Sequence, residues 1–373
     1  METGSDDVRH PGRSSSEAVL VSVIIPNYNY EQFLRQAIDS ALALDWPALE
    51  VIVIDDGSTD QSRAIMAEYG DRITAIYQRN AGQRVACNTG FARSSGQIVI
   101  FLDSDDVLEP SLVRELMRVW RPAVSKVQVQ MKIVDAAGRA TGALLPQFHV
   151  VPSARQMRRW AATAASYPSP PGSGNAYARS YLNKIFPLIG EDRAADSYCL
   201  AAAPFLGDVI TIARPLASYR VHGRNDGAVS QLDRPRFAVE LKRARGFFRM
   251  AQAAARTSGI DLADSVLNRS LSFLPYRLAS LTVLPETHPI ADDSRSKILR
   301  DLLLACFVPQ GVPSRSRATL VAWAVSVAVL PARVSGNLVL WRFSSSARPQ
   351  SLKRVLQALR VTKRYEPIEN TDT

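Results

Sequence analysis

Gln97-Ile-Val-Ile-Phe-Leu-Asp-Ser-Asp-Asp-Val-Leu-Glu-Pro110 decides how the chain is read. Ile98 to Leu102 is an unbroken apolar run, the pattern of a strand buried on both faces of a parallel sheet. It leads into Asp103, Asp105 and Asp106. Carboxylates crowded at a buried strand end repel one another and resist desolvation unless a cation joins them. Mg²⁺ and Mn²⁺ take a few carboxylate oxygens and fill other positions with phosphate oxygens. Open α/β sheets bind ligands just beyond the carboxyl ends of their strands. Asp103-Ser104-Asp105 is therefore a candidate seat for a cation holding a nucleotide diphosphate. Taken alone, the same residues suit a solvated turn that caps the helix after Pro110 equally well.

On the N-terminal side, Val19 to Pro26 repeats the buried-strand pattern, and the polar loop Asn27-Tyr28-Asn29-Tyr30 follows. Phe33, Leu34, Ala37, Ile38 and Ala41 recur at helical spacing. Val51 to Ile54 is another apolar run, ending in Asp55-Asp56-Gly57-Ser58-Thr59-Asp60. A helix around Ala64 to Met66, a short strand near Ile73 to Tyr77 and a helix opened by Asn80-Ala81-Gly82-Gln83 complete the approach to the central strand. Strand and helix alternate from Val19 to Trp120, which predicts a doubly wound, mostly parallel sheet. The loop after the first strand, Pro26-Asn27-Tyr28-Asn29, has no glycine, so it is not a Rossmann dinucleotide loop.

The 373 residues suffice for one large or two ordinary domains, and their net charge of +10 favours an anionic partner. Cys87, Cys199 and Cys306 form neither a zinc pattern nor an even disulfide set and read as free thiols in a reducing, cytoplasmic setting. Residues 1–18 are polar and read as a disordered tail without the apolar core of a signal peptide.

Four motifs together resemble the inverting family 2 glycosyltransferases of GT-A fold: Val-Ser-Val-Ile-Ile-Pro-Asn-Tyr-Asn at 21–29, Ile-Asp-Asp-Gly-Ser-Thr-Asp at 54–60, Asn-Ala-Gly at 80–82 and Phe-Leu-Asp-Ser-Asp-Asp at 101–106. Tyr-Arg-Val-His-Gly-Arg-Asn at 219–225 resembles the segment that closes the catalytic domain in bacterial members. The resemblance implies a catalytic domain over 19–226. It implies transfer, with inversion, from a nucleotide-sugar to a hydroxyl of a glycan or lipid-linked acceptor in surface or exopolysaccharide synthesis, with Mn²⁺ or Mg²⁺ as cofactor. Pro26, Tyr28 and Asp56 match the family's nucleobase contacts, Asp103 its ribose contact and Asp105 its metal ligand. Physically, Asp56 could accept the imide N–H of uracil or thymine and Tyr28 could stack on the ring, which favours UDP- or dTDP-sugars.

The family's general base is the aspartate of a Glu-Asp pair, and this chain departs from that pattern. Ala195 precedes Asp196, while the literal pair Glu191-Asp192 lies a few residues early. Asp196 is the preferred base because the apolar helix that follows it, from Tyr198, places it near a positive helix end. The missing glutamate leaves a rival reading, a nucleotide-sugar-binding or scaffolding relative without catalysis. Asn27, Arg84, Asn88, Ser104, Asn175 and His222 complete the candidate set. Arg84 and Asn88 could meet phosphate or Asp103, Asn175 could shape the sugar pocket, and His222 could approach the metal or diphosphate. Each has an equally good structural explanation.

The low-order stretch 161–174, rich in Pro, Gly and Ser, reads as a lid or a linker, with a helix from Arg179 to Phe186 beyond it. Gln156-Met157-Arg158-Arg159-Trp160 matches the Gln-x-x-Arg-Trp signature of processive synthases but precedes Asp196 instead of following it, and reads as coincidence. Residues 227–373 read as a basic, mainly helical region. Ala318 to Leu330 is too short to span a bilayer and suits a buried helix or a segment dipping into a membrane face. The basic residues from Trp341 to Arg364 could touch anionic lipid on the inner face of the membrane. Nucleic-acid binding is disfavoured by the aspartate clusters.

Overall fold

The computed structural model describes residues 18–148, 150–189, 196–222, 234–343, 348–351 and 354. Residues 1–17, the Glu191-Asp192 pair and the basic segment beyond residue 354 lie outside the described residues.

Strands β1 (Val21–Asn27), β2 (Leu49–Asp55), β3 (Thr74–Tyr77) and β4 (Ile98–Phe101) lie in the order β3-β2-β1-β4, all parallel. Helices α1 (Glu31–Leu42), α2 (Ser62–Ala67) and α3 (Gln83–Arg93) connect them. The unbroken apolar runs have a simple cause, because both faces of this sheet are covered. Val21, Val23 and Ile25 pack with Leu34, Ala37 and Ile38 of α1, while Ile24 on the opposite face packs with Ala86 and Cys87 of α3. At Gly90, α3 comes so close that an added Cβ would sit 2.4 Å from Ile24 Cγ2 and 2.7 Å from Ile54 Cδ1.

Beyond β4 come β5 (Val107–Leu108), α4 (Leu112–Val119), β6 (Val124–Asp135), β7 (Ala140–Leu145) and α5 (Ala154–Ala164). They are followed by β8 (Asn175–Ala178), α6 (Arg179–Leu182), α7 (Asp196–Leu206) and β9 (Asp208–Val221). These strands extend the sheet to nine, in the order β3-β2-β1-β4-β8-β6-β9-β5, with β7 on β6. The added half is mixed: β8 runs antiparallel to both β4 and β6, and β9 runs parallel to β6. The β6–β9 register shifts near Val129 and Gln130, where extra β9 residues bulge between Ile212 and Ala217.

Two expectations are corrected here. The segment 161–174 is not low in order, since α5 continues to Ala164 behind a Ser153–Gln156 capping box, and a 3-10 turn forms at Gly172–Gly174. The helix expected from Arg179 to Phe186 is the short α6, ending at Leu182.

Helices α8 (Arg234–Thr257), α9 (Leu274–Val283), α10 (Arg295–Ala305), α11 (Ser314–Val329) and α12 (Ala332–Phe343) form the C-terminal region. The first of these packs on α7, and the rest share a core of their own with Leu278, Ile298, Leu302, Leu320 and Val327. Leu320, Ala324 and Val327 are the buried face of α11, while Val325 and Val329 are exposed. Among the described residues no helix is long and apolar enough to cross a membrane. Arg277, 2% exposed, is paired with Asp293 and Asp301 and bonded to Asn268. His288 bridges Asp293 (3.0 Å) and Ser280 (2.9 Å). This Ser–His–Asp line cannot serve as a nucleophilic triad, because Ser280 is completely buried; it is a structural brace.

Candidate functional site

The acidic loop after β4 gathers contacts from four directions. Ser104 Oγ donates to the Pro26 carbonyl (2.7 Å), tying the loop to the end of β1. Gln83 Nε2, in the first turn of α3, donates to Asp103 Oδ1 (2.7 Å). The Asp103 N–H donates to Ser173 Oγ (3.0 Å), and that hydroxyl in turn donates to Asp106 Oδ2 (2.6 Å). The end of β9 closes the ring: the Arg220 N–H donates to Asp106 Oδ1 (3.0 Å), and His222 Nε2 lies 2.9 Å from Asp105 Oδ2. The loop that carries Ser173 is thus fastened to the acidic motif, a role closer to a linker than to a lid.

Arg220 is 3% exposed, and its guanidinium lies 4.9 Å from the Phe33 ring centroid. Its Nε donates to the Asp105 carbonyl (2.8 Å) and its Nη2 to Gln36 Oε1 (2.7 Å). His222 is packed between Tyr30 and Phe33, with ring centroids 5.7 and 4.8 Å away. Burial pushes the Asp106 carboxyl up to about 8, with the neighbouring Asp105 adding to the shift and the bonds from Ser173 and Arg220 opposing it.

At the tip of β2 the two aspartates do different work. Asp55 is completely buried, pairs with Arg63 (2.8 Å) and accepts the Ser58 N–H, a structural role. Asp56 is 3% exposed and turns inward. Its Oδ1 accepts from Gln78 Nε2 (2.6 Å) and the Ala81 N–H (3.0 Å), and its Oδ2 from the Gly82 N–H (2.7 Å). Gly82 has φ +89°, so this turn needs glycine. In the first loop Tyr28 is 45% exposed and able to stack on a planar ring. Asn27 is buried, donates to Ser58 Oγ (3.2 Å), and its Oδ1 has no hydrogen-bond partner among the described residues.

Three candidates have their polar groups engaged elsewhere. Arg84 Nη1 and Asn88 Nδ2 both donate to the Leu188 carbonyl (2.6 and 3.0 Å), and Asn88 Oδ1 accepts the Leu188 N–H; they bracket the segment that precedes α7. Asn175 lies ahead of α6, as expected. It opens the buried strand β8 and donates to the carbonyls of Pro171 (2.7 Å) and Gly172 (3.1 Å). Its Oδ1 accepts from Lys126 Nζ (3.0 Å), a completely buried lysine that also donates to Gln128 Oε1 and Ser169 Oγ and lies 4.9 Å from the Tyr167 ring centroid.

The backbone of Asp196 begins α7 as expected; its side chain lies outside the described residues. That helix contains Pro204, which has no N–H to give the Leu200 carbonyl one turn back. Tyr167 supplies the missing donor, its hydroxyl 2.6 Å from that oxygen, and Tyr181 donates to the Cys199 carbonyl (2.5 Å). Arg158 of the Gln-x-x-Arg-Trp stretch donates to the Pro204 carbonyl (2.8 Å), so this residue steadies the end of α7.

Arg220, Gln83, Ser173 and Lys126 escaped the sequence reading. Arg220 lies within the Tyr-Arg-Val-His motif and was within reach; the other three belong to no motif and meet the site only through the fold.

Residues 22–186 match the family model described as Glycosyl transferase family 2. An uncharacterized glycosyltransferase of Nostoc sp. is 36% identical over 213 residues, covering 55% of this chain and 66% of that protein. One from Rickettsia prowazekii is 40% identical over 100 residues, covering 27% of this chain and 31% of its own length. The matches thus span less than two thirds of these relatives. The crystal structure of S. aureus TarS 1–349 in complex with UDP-GlcNAc shares the fold, with a TM-score of 0.53 at 17% identity, covering 87% of this chain and 91% of that one. Residues 22–186 of this chain thus form a domain similar to glycosyl transferase family 2, carrying its four motifs in order, in a fold shared with TarS.

Proposed function

We propose that this protein is a cation-dependent inverting glycosyltransferase that moves a sugar from a nucleotide-sugar to a hydroxyl of a glycan or lipid-linked acceptor. One observation carries the reading: residues separated by more than a hundred positions converge on the acidic strand end, with Asp105 and His222 2.9 Å apart. A solvated capping turn would not recruit a buried arginine and a buried histidine.

Among the described residues no group of three or more His, Cys, Asp or Glu side chains is gathered to ligate an ion. An all-protein cage for a structural ion is therefore not what these residues offer. Asp105 and His222 do fit Mg²⁺ or Mn²⁺ bound through one or two protein groups, with diphosphate oxygens and water in the other positions. These two residues would hold the cation, and when bound it neutralises charge on the departing diphosphate. Arg220 positions Asp105 through its main-chain carbonyl. Asp103, bonded to Gln83, is the proposed ribose contact, and Tyr28 the stacking surface for the base. Asp56 forms the floor of the nucleobase site by holding Ala81 and Gly82 in place, and a uridine or thymidine base would reach only the lone pairs those bonds leave. TarS, solved with UDP-GlcNAc, supports a uridine nucleotide.

Asp196 would accept the acceptor hydroxyl's proton as that oxygen attacks the anomeric carbon. Released nucleoside diphosphate, measured across a nucleotide-sugar panel with Mn²⁺, tests the proposal. Turnover should vanish in Asp196→Asn while nucleotide binding persists. Full activity in that variant, or activity unaffected by chelation, would refute the assignment. Ala195, standing where the family has glutamate, favours the alternative of a non-catalytic relative, which would bind nucleotide-sugar with no turnover.

A further inference from the structure

A cleft of about 310 Å³, with mainly apolar walls, lies where α5 and α7 meet the C-terminal helices. Leu200, Ala201 and Phe205 line it from α7, Phe247 and Phe248 from α8, and Phe273 from the start of α9. A cavity of this size, with mainly hydrophobic walls and a few polar groups, is the usual form of a small-molecule site.

Its position indicates the occupant. The helix that begins at the proposed base, Asp196, supplies one wall, and Ser197, the next residue, is among the lining groups. The remaining polar lining includes the Glu240–Arg243 ion pair (3.0 Å) and the Tyr276 side chain. We infer that this cavity receives the apolar portion of an amphiphilic acceptor, an alkyl or prenyl-like chain, while the hydroxyl to be glycosylated is presented at the start of α7. This assignment rests on the glycosyltransferase reading and narrows its acceptor to molecules with an apolar tail.

Calorimetric binding of alkyl glucosides from methyl to octyl, each below its micelle-forming concentration and with UDP and Mn²⁺ present, tests it on the full chain. Affinity should rise by up to about fourfold per methylene, the fold-change equivalent of roughly 0.8 kcal/mol per buried CH₂. Ala201→Trp on α7 and, as an independent second variant, Ala244→Leu on α8 add bulk to the lining and should flatten that rise while leaving UDP affinity unchanged. An affinity independent of chain length, in protein that binds UDP normally, overturns the acceptor assignment and leaves the enzyme reading intact. So does 1-octanol binding as tightly as octyl glucoside, since the headgroup would then make no contact at the site. Failure to bind UDP or any other nucleoside diphosphate overturns the enzyme reading itself, and the acceptor assignment falls with it.

Discussion

Replacing Asp56 with alanine separates two roles for a family-motif aspartate. The carboxylate is 3% exposed and accepts three hydrogen bonds, from Gln78, Ala81 and Gly82. Ala81 is exposed, so water can replace its lost partner, but Gly82 is buried and its N–H would be stranded. Two bonds to a charged acceptor at about 1.5 kcal/mol each give a loss of about 3 kcal/mol. With about 2.1 cal/mol/K of unfolding entropy per residue over 373 residues, that lowers the melting temperature by roughly 4 °C. Asp56→Asn keeps one acceptor oxygen and should lose roughly half as much. Differential scanning calorimetry reads the shift, and amide exchange at Gly82 should accelerate in both variants. UDP affinity should fall as well, because the loop that bounds the base site loosens. Unchanged melting and exchange, together with abolished UDP binding, would refute the inward-facing role and restore Asp56 as a direct nucleobase contact alone.

Other predictions follow from different parts of the molecule. Gly90→Ala would press a methyl against Ile24 and Ile54, lowering stability by about 1–3 kcal/mol, as thermal unfolding should report. Burial pushes the Asp293 carboxyl up, but hydrogen bonds from Arg277 and His288 outweigh it and hold the group below its ordinary range. A carboxyl with a depressed folded-state pKa contributes stability above its unfolded value of about 3.9, and loses it as pH falls through the folded value. Asp293→Asn should therefore destabilise the protein near neutrality, with the difference from wild type shrinking below about pH 4 in a melting-temperature series. Arg220→Met would remove the guanidinium bond to the Asp105 carbonyl, so the Mn²⁺ concentration for half-maximal activity should rise at least tenfold, equivalent to about 1.4 kcal/mol. An unchanged Mn²⁺ requirement would rule out that positioning role.

The first half of the fold was legible because its physics is local. β1, β2 and β4 are covered on both faces, which leaves continuous apolar runs, and each ends in a polar motif of the family. The second half was not legible, because β6 hides polar side chains. Lys126, Gln128 and Gln130 are all buried, yet in the sequence they read as surface residues. Their partners, Ser169, Thr211 and Asn175, come from distant segments, so no window of sequence contains the compensation. The same reason hid the inward turn of Asp56 toward a loop more than twenty positions away. Arg84 and Asn88 were placed on the right helix, but their bonds to the Leu188 backbone, about a hundred positions away, belong to no local pattern.

The bulged residues of β9 between Ile212 and Ala217 set the parity of everything after them. Because strand side chains alternate faces, removing a single bulge residue would swap inside for outside along the rest of the strand. Arg220 and His222 would then turn away from the carboxylates, and Val221 would move into the place of Arg220. A one-residue change of length in this strand is therefore felt at the acidic loop, whereas the same change in a surface loop is not.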